Sequence, residues 1–124
     1  MRKLHQVAVA TACAISAIML SGSVLAAGHE AKKEPTGKEL AYNRSKGNCL
    51  ACHAMPTQPD VESAGAYGPP LIAMSARYPD KAKLRLQIWD ATVANPSSTM
   101  IPFGKHGVLT EKEIDKITDF VYGL

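Results

Sequence analysis

Cys49-Leu50-Ala51-Cys52-His53 is the stretch on which the reading of this chain turns. In a C-x-x-C-H run the two thiols stand one helical turn apart, where they can add across two vinyl groups of a haem, and the adjoining imidazole can ligate the iron. The pattern therefore reads as covalent haem attachment. It makes three demands on the remaining residues: delivery to an oxidising compartment, a second axial ligand, and a helical shell that excludes water.

Two other uses of the cysteine pair are weaker. A structural zinc site needs four ligands, and beyond Cys49, Cys52 and His53 the chain offers no H-x₃₋₅-H pair and no further cysteine after Cys13. A thiol redox pair belongs in a βαβ setting, and no strand-like alternation surrounds this one.

Working outward, the amino terminus has the three parts of a secretory signal peptide. Met1-Arg2-Lys3 is basic, Val7 to Leu20 is apolar, and Val24-Leu25-Ala26 carries small residues suited to cleavage. Residues 1–26 are thus expected to be removed. The apolar run is short of the roughly 20 residues a spanning helix needs, so no membrane anchor is expected after cleavage. Cys13 falls inside this leader, where Ala10-Thr11-Ala12 lacks the leucine of a lipoprotein signal. Cleavage changes the charge balance. The full chain has 14 Lys and Arg against 11 Asp and Glu, and losing Arg2 and Lys3 leaves twelve cations against eleven acids. A balance of +1 offers no electrostatic footprint for nucleic acid.

Residues 27–35, polar and lysine-rich, read as a flexible tail in which His29 is solvated. The 36–124 segment, small and rich in apolar residues, reads as one all-α domain of three to four helices. Thr36-Gly37-Lys38-Glu39 has the form of a capping box, predicting a helix to about Lys46 that presents Leu40, Ala41 and the Arg44 stem and is closed by Gly47-Asn48. A long loop follows, with Pro56, Pro59 and the turn Gly68-Pro69-Pro70-Leu71, and needs a surface to pack on. Leu71 to Ala76 is a candidate short helix. A further helix is expected from Pro79, with Leu84, Ile88, Trp89 and Val93 towards one side and Asn95-Pro96 as its stop. Ser97 to Gly107 is irregular. Thr110-Glu111-Lys112-Glu113 is a second capping box, and Ile114, Ile117, Phe120, Val121 and Leu124 recur behind it at helical spacing.

The second iron ligand follows from placement. Met55, two residues from His53, cannot cross to the opposite face of a haem, and Met74 reads better as core filling. Met100 lies in a proline-bounded loop between the last two helices, where a chain can fold over the far face, and Pro102 and Phe103 beside it would stiffen and dry that face. His106 in the same loop is the rival, and would lower the potential where a thioether raises it. Pro69, in a rigid turn, is a candidate acceptor for the His53 Nδ1–H, and Trp89 and Phe103 are candidates for packing on the haem.

Together, the C-x-x-C-H after an opening helix, the Gly68-Pro69-Pro70-Leu71 turn, the Met100 loop and the closing amphipathic helix resemble a class I cytochrome c. That resemblance spans the mature chain. It implies a fold in which the first and last helices cross near the edge of one covalent haem c, with His53 and Met100 on the iron and Pro69 orienting His53. Gly47-Asn48-Cys49-Leu50-Ala51-Cys52-His53, Gly68-Pro69-Pro70-Leu71-Ile72-Ala73-Met74, Ala76-Arg77-Tyr78-Pro79 and Gln87-Ile88-Trp89-Asp90-Ala91-Thr92-Val93-Ala94-Asn95-Pro96 resemble SoxX, the small monohaem subunit of the SoxAX complex of bacterial thiosulfate oxidation. Met100-Ile101-Pro102-Phe103-Gly104-Lys105-His106 is similar to that family's ligand loop, which often has proline where this chain has Ile101. The resemblance implies a periplasmic heterodimer with a SoxA-like cytochrome, acting on a cysteine of the SoxY carrier and passing electrons to a downstream acceptor such as another cytochrome c. A free, diffusible class I cytochrome c of another respiratory chain is the alternative.

Overall fold

The computed structural model describes residues 33–61 and 63–124. The expected leader over 1–26 with Cys13, and the tail's first residues with His29, lie outside the described residues. Four α-helices follow in order, α1 Gly37–Tyr42, α2 Met74–Arg77, α3 Lys81–Trp89 and α4 Glu111–Tyr122, with a 3₁₀ turn at Cys49–Ala51 between the first two. The described residues contain no strand.

Both capping boxes form. At α1 the Glu39 N–H donates to Thr36 Oγ1 at 3.2 Å and the Thr36 N–H donates to the Glu39 carboxylate at 2.6 Å, and Thr110 and Glu113 repeat the exchange at α4. Each pair satisfies backbone donors that the first turn of a helix leaves bare. Other helix limits differ from the expected ones. α1 stops at Tyr42 rather than Lys46, because Asn43 turns extended and its own side chain accepts the Ser45 N–H at 2.8 Å. Such a local side-chain bond competes with continuing the helix. Arg44 consequently lies beyond the helix and is exposed, while Asn48 takes the left-handed conformation that reverses the chain into the 3₁₀ turn.

α3 is likewise shorter than its periodicity suggested. It starts at Lys81 rather than Pro79, and Asp80 caps it by accepting the Ala82 N–H at 2.9 Å. Asp90 ends it, well before Asn95-Pro96, because its carboxylate is buried and accepts the Thr92 N–H. Val93 therefore falls outside the helix and is 61% exposed, not on the apolar side with Leu84 and Ile88. The expected 71–76 helix is a single turn displaced to Met74–Arg77.

α4 is the element against which α1, α2 and α3 all pack. Its Ile114, Ile117 and Val121 are at most 3% exposed, and burying side chains of this size contributes about 1.5–3 kcal/mol each. The approach of α1 is unusually close. A Cβ at Gly37 would stand 1.9 Å from the Lys116 carbonyl oxygen, so only glycine lets the two backbones meet there. Tyr42 and Phe120 continue the crossing edge to face, their ring centroids 6.2 Å apart. The residues just before α1 are tied down as well. Lys112 and Lys116 donate to the Glu34 carboxylate at 2.6 and 3.1 Å and hold it below the usual carboxylate range, so the end of the expected 27–35 tail is anchored on α4. Among the described residues, no helix is long and apolar enough to cross a membrane.

Candidate haem-binding site

The C-x-x-C-H run folds as one tight turn. The N–H groups of Cys52 and His53 both donate to the Cys49 carbonyl, at 3.2 and 2.9 Å. Both thiols are free, with Cys49 half-buried and Cys52 exposed. Burial pushes the Cys49 thiol up to about 11, so at neutral pH it is protonated, the opposite of the lowered thiol of a redox pair. Among the described residues no three His, Cys, Asp or Glu side chains gather where they could hold a metal ion.

The loop over 54–71 is strapped back onto this turn on both sides of the histidine. Gly68 N–H donates to the Cys52 carbonyl and Leu71 N–H to the Ala54 carbonyl, each at 2.8 Å. Between these straps the His53 Nδ1–H donates to the Pro69 carbonyl oxygen at 2.6 Å. A carbonyl only accepts, so the proton is assigned to Nδ1 and Nε2 keeps its lone pair for a metal. The ring also lies against bare backbone, since a Cβ at Gly68 would stand 2.4 Å from His53 Cε1. Arg77, from α2, donates to the Pro70 carbonyl at 2.8 Å and to the Met74 sulfur at 3.4 Å, which fixes the Pro-Pro turn from behind.

The methionines divide by burial. Met55 and Met74 are each 2% exposed and part of the core, whereas Met100 is half-buried and packs on the edge of that core. The Met100 N–H donates to Ser98 Oγ at 3.3 Å. Phe103 is 6% exposed, and its carbonyl accepts the N–H groups of Val108 and Leu109, anchoring the loop's far end. His106 is exposed, its backbone N–H on the Pro102 carbonyl. Trp89 is half-buried at the end of α3, with its indole N–H donating to the Glu111 carboxylate at 2.9 Å.

These residues fit a haem. Two free thiols on one turn, an imidazole with its tautomer fixed and a half-buried thioether on a separate loop are the chemistry such a group requires, and Tyr67, Ile72 and Ile101, near these residues in sequence, are exposed apolar side chains. Sequence reasoning overlooked Arg77, Glu111 and the ion pair between Lys105 and the buried Asp90, at 3.0 Å. The partners of Glu111 and Lys105 lie on other elements, and no spacing rule reports such pairs.

No protein-family model matches the chain. Over 77 residues, 62% of its length, it is 35% identical to an uncharacterized lipoprotein of Aquifex aeolicus (strain VF5). The match spans 36% of that protein, about a third of its length. In structure the chain is similar to a chain in the crystal structure of SoxXA from P. pantotrophus, with a TM-score of 0.63 at 24% identity, covering 73% of this chain and 82% of that one. The fold that positions Cys49, Cys52, His53 and Met100 is accordingly the all-α fold of a class I cytochrome c.

Proposed function

We propose that the chain is a periplasmic c-type cytochrome carrying one covalent haem, and that it serves as the electron-transfer subunit of a SoxAX-type L-cysteine S-thiosulfotransferase. The observation that carries this reading is the His53 imidazole, held by Pro69 with Nε2 free, on the same turn as two free thiols. Cys49 and Cys52 would form the thioethers, and His53 and Met100 the axial bonds to iron. When bound, the haem supplies a one-electron couple whose potential a thioether ligand raises. The protein's own task is positional. The Pro69 carbonyl orients the imidazole, Arg77 stiffens the turn whose carbonyl does so, and the buried Phe103 anchors the loop that would bring Met100 to the iron.

Likeness to a SoxXA chain supports a SoxA-like cytochrome as the partner. In the proposed reaction a thiol of the SoxY carrier and the sulfane sulfur of thiosulfate form an S–S bond, releasing two electrons and the thiol proton. The electrons leave one at a time through this subunit to a downstream acceptor. Beyond the expected leader the chain's only cysteines are the proposed haem pair, which is consistent with a bond-forming centre in the partner and an electron-carrying role for this subunit.

The test is reconstitution. Produced with its haem beside a SoxA-like subunit, the chain should purify as a heterodimer that conjugates thiosulfate to SoxY, with electrons appearing on an added acceptor. A haem-loaded monomer that never retains that subunit, and adds no thiosulfate-dependent activity on mixing, would instead be a free class I cytochrome c.

A further inference from the structure

The end of α3 grips the loop that bears Met100. Trp89 offers its carbonyl to the Gly104 N–H at 3.0 Å and to the Lys105 N–H at 3.4 Å. Its indole lies directly on the Gly104 backbone. A Cβ at that position would stand 2.0 Å from Trp89 Cδ1 and 2.2 Å from Nε1, so glycine there is a condition of the contact. That same Nε1 is tethered as well, because its N–H donates to Glu111 on α4, and Arg85 holds the same carboxylate. A second strap lies one residue on, where the buried Asp90 pairs with Lys105 at 3.0 Å.

Only Ile101, Pro102 and Phe103 separate Met100 from the gripped Gly104, and Phe103 is itself buried. The position of the Met100 sulfur is thus set by a short connection running from a fixed point. A thioether is a neutral, weak ligand, so how fully it occupies an iron site depends on how much of the time its loop is in place. A competitor that needs the loop displaced binds with an apparent affinity scaled by the displaced fraction.

We propose that Trp89 is a positioning residue for the second axial ligand: clamped between Glu111 and Gly104, its indole fixes the loop that delivers the Met100 thioether. This rests on Met100 being that ligand. It also changes the role of Trp89, from packing on the haem to holding the chain that covers it.

Imidazole titration of the oxidised, haem-loaded chain tests the clamp. Phenylalanine at position 89 keeps a ring over Gly104 and loses the bond to the carboxylate, so Trp89→Phe should bind imidazole about tenfold more tightly than the parent. Gly104→Ala should show at least as large a gain, and Glu111→Gln, which keeps an acceptor for the indole, should stay near the parent value. All titrations are run well below the thermal transition, where a merely structural role for Trp89 would leave imidazole affinity unmoved. Parent-like affinity in Trp89→Phe overturns the clamp, whether or not Gly104→Ala folds. Met100→Ala separates the two ideas. If it leaves the far-red absorption and imidazole affinity of the parent unchanged, the ligand assignment has failed; if it abolishes that band while Trp89→Phe behaves as parent, only the clamp has.

Discussion

At the scale of single residues, the backbone carbonyls decide much of what the side chains can do. The Pro69 carbonyl fixes the His53 tautomer, and the Cys49 carbonyl draws two N–H groups into the tight turn that spaces the thiols. Among the described residues, one buried side-chain group is left unsatisfied. The Tyr42 hydroxyl finds no hydrogen-bond partner among them, while its ring carries the Lys38 ammonium at 5.4 Å from the centroid and meets Phe120 edge to face. An orphaned buried hydroxyl destabilises more than its removal does. Tyr42→Phe is expected to keep the edge-to-face contact and to raise folding stability by up to about 1 kcal/mol, measured by thermal or denaturant unfolding of the haem-loaded protein. A clear loss of stability would mean that the hydroxyl has a partner after all.

Among the elements, the decisive contact is the crossing of α1 over α4, and the space at Gly37 controls it. An added methyl would collide with the Lys116 carbonyl, which belongs to a helix backbone and cannot swing aside. Gly37→Ala should therefore cost about 1–3 kcal/mol, read as a lowered unfolding midpoint, even though alanine is the better helix former. An unchanged midpoint would show that the two helices are free to separate. The same crossing shows what was legible in the sequence. Thr36, Glu39, Thr110 and Glu113 mark both helix starts because a capping box is local chemistry, and Ile114, Ile117 and Val121 mark the buried face of α4 because the period of a helix is visible in its residues. Helix ends were harder. Asn43 and Asp90 stop α1 and α3 through side-chain bonds to nearby backbone, and a single Asn or Asp carries that meaning only once its surroundings are known. At the site, C-x-x-C-H and Gly-Pro-Pro could be matched as a turn facing a histidine, whereas the contact of Trp89 with Gly104 joins elements fifteen positions apart and leaves no periodic trace.

For the molecule as a whole, the helices of the described residues and their loops arrange a site whose central chemistry would be supplied by the proposed haem. The α3–α4 face is laced by Lys81 with Asp119 and Arg85 with Asp115, both solvent-exposed pairs of small energetic weight, so the apolar face of α4 carries the fold. The loops carry the chemistry, one strapped beneath His53 and the other gripped at Gly104. Everything proposed for this chain depends on a haem joined to the 49–53 turn. The most direct measurement is the mass and absorbance of the denatured chain after export from cells that mature c-type cytochromes. The account predicts a polypeptide heavier by one haem, coloured after unfolding, with both properties lost in the Cys49→Ala/Cys52→Ala double variant. A folded, exported chain of unmodified mass with both thiols free would contradict it.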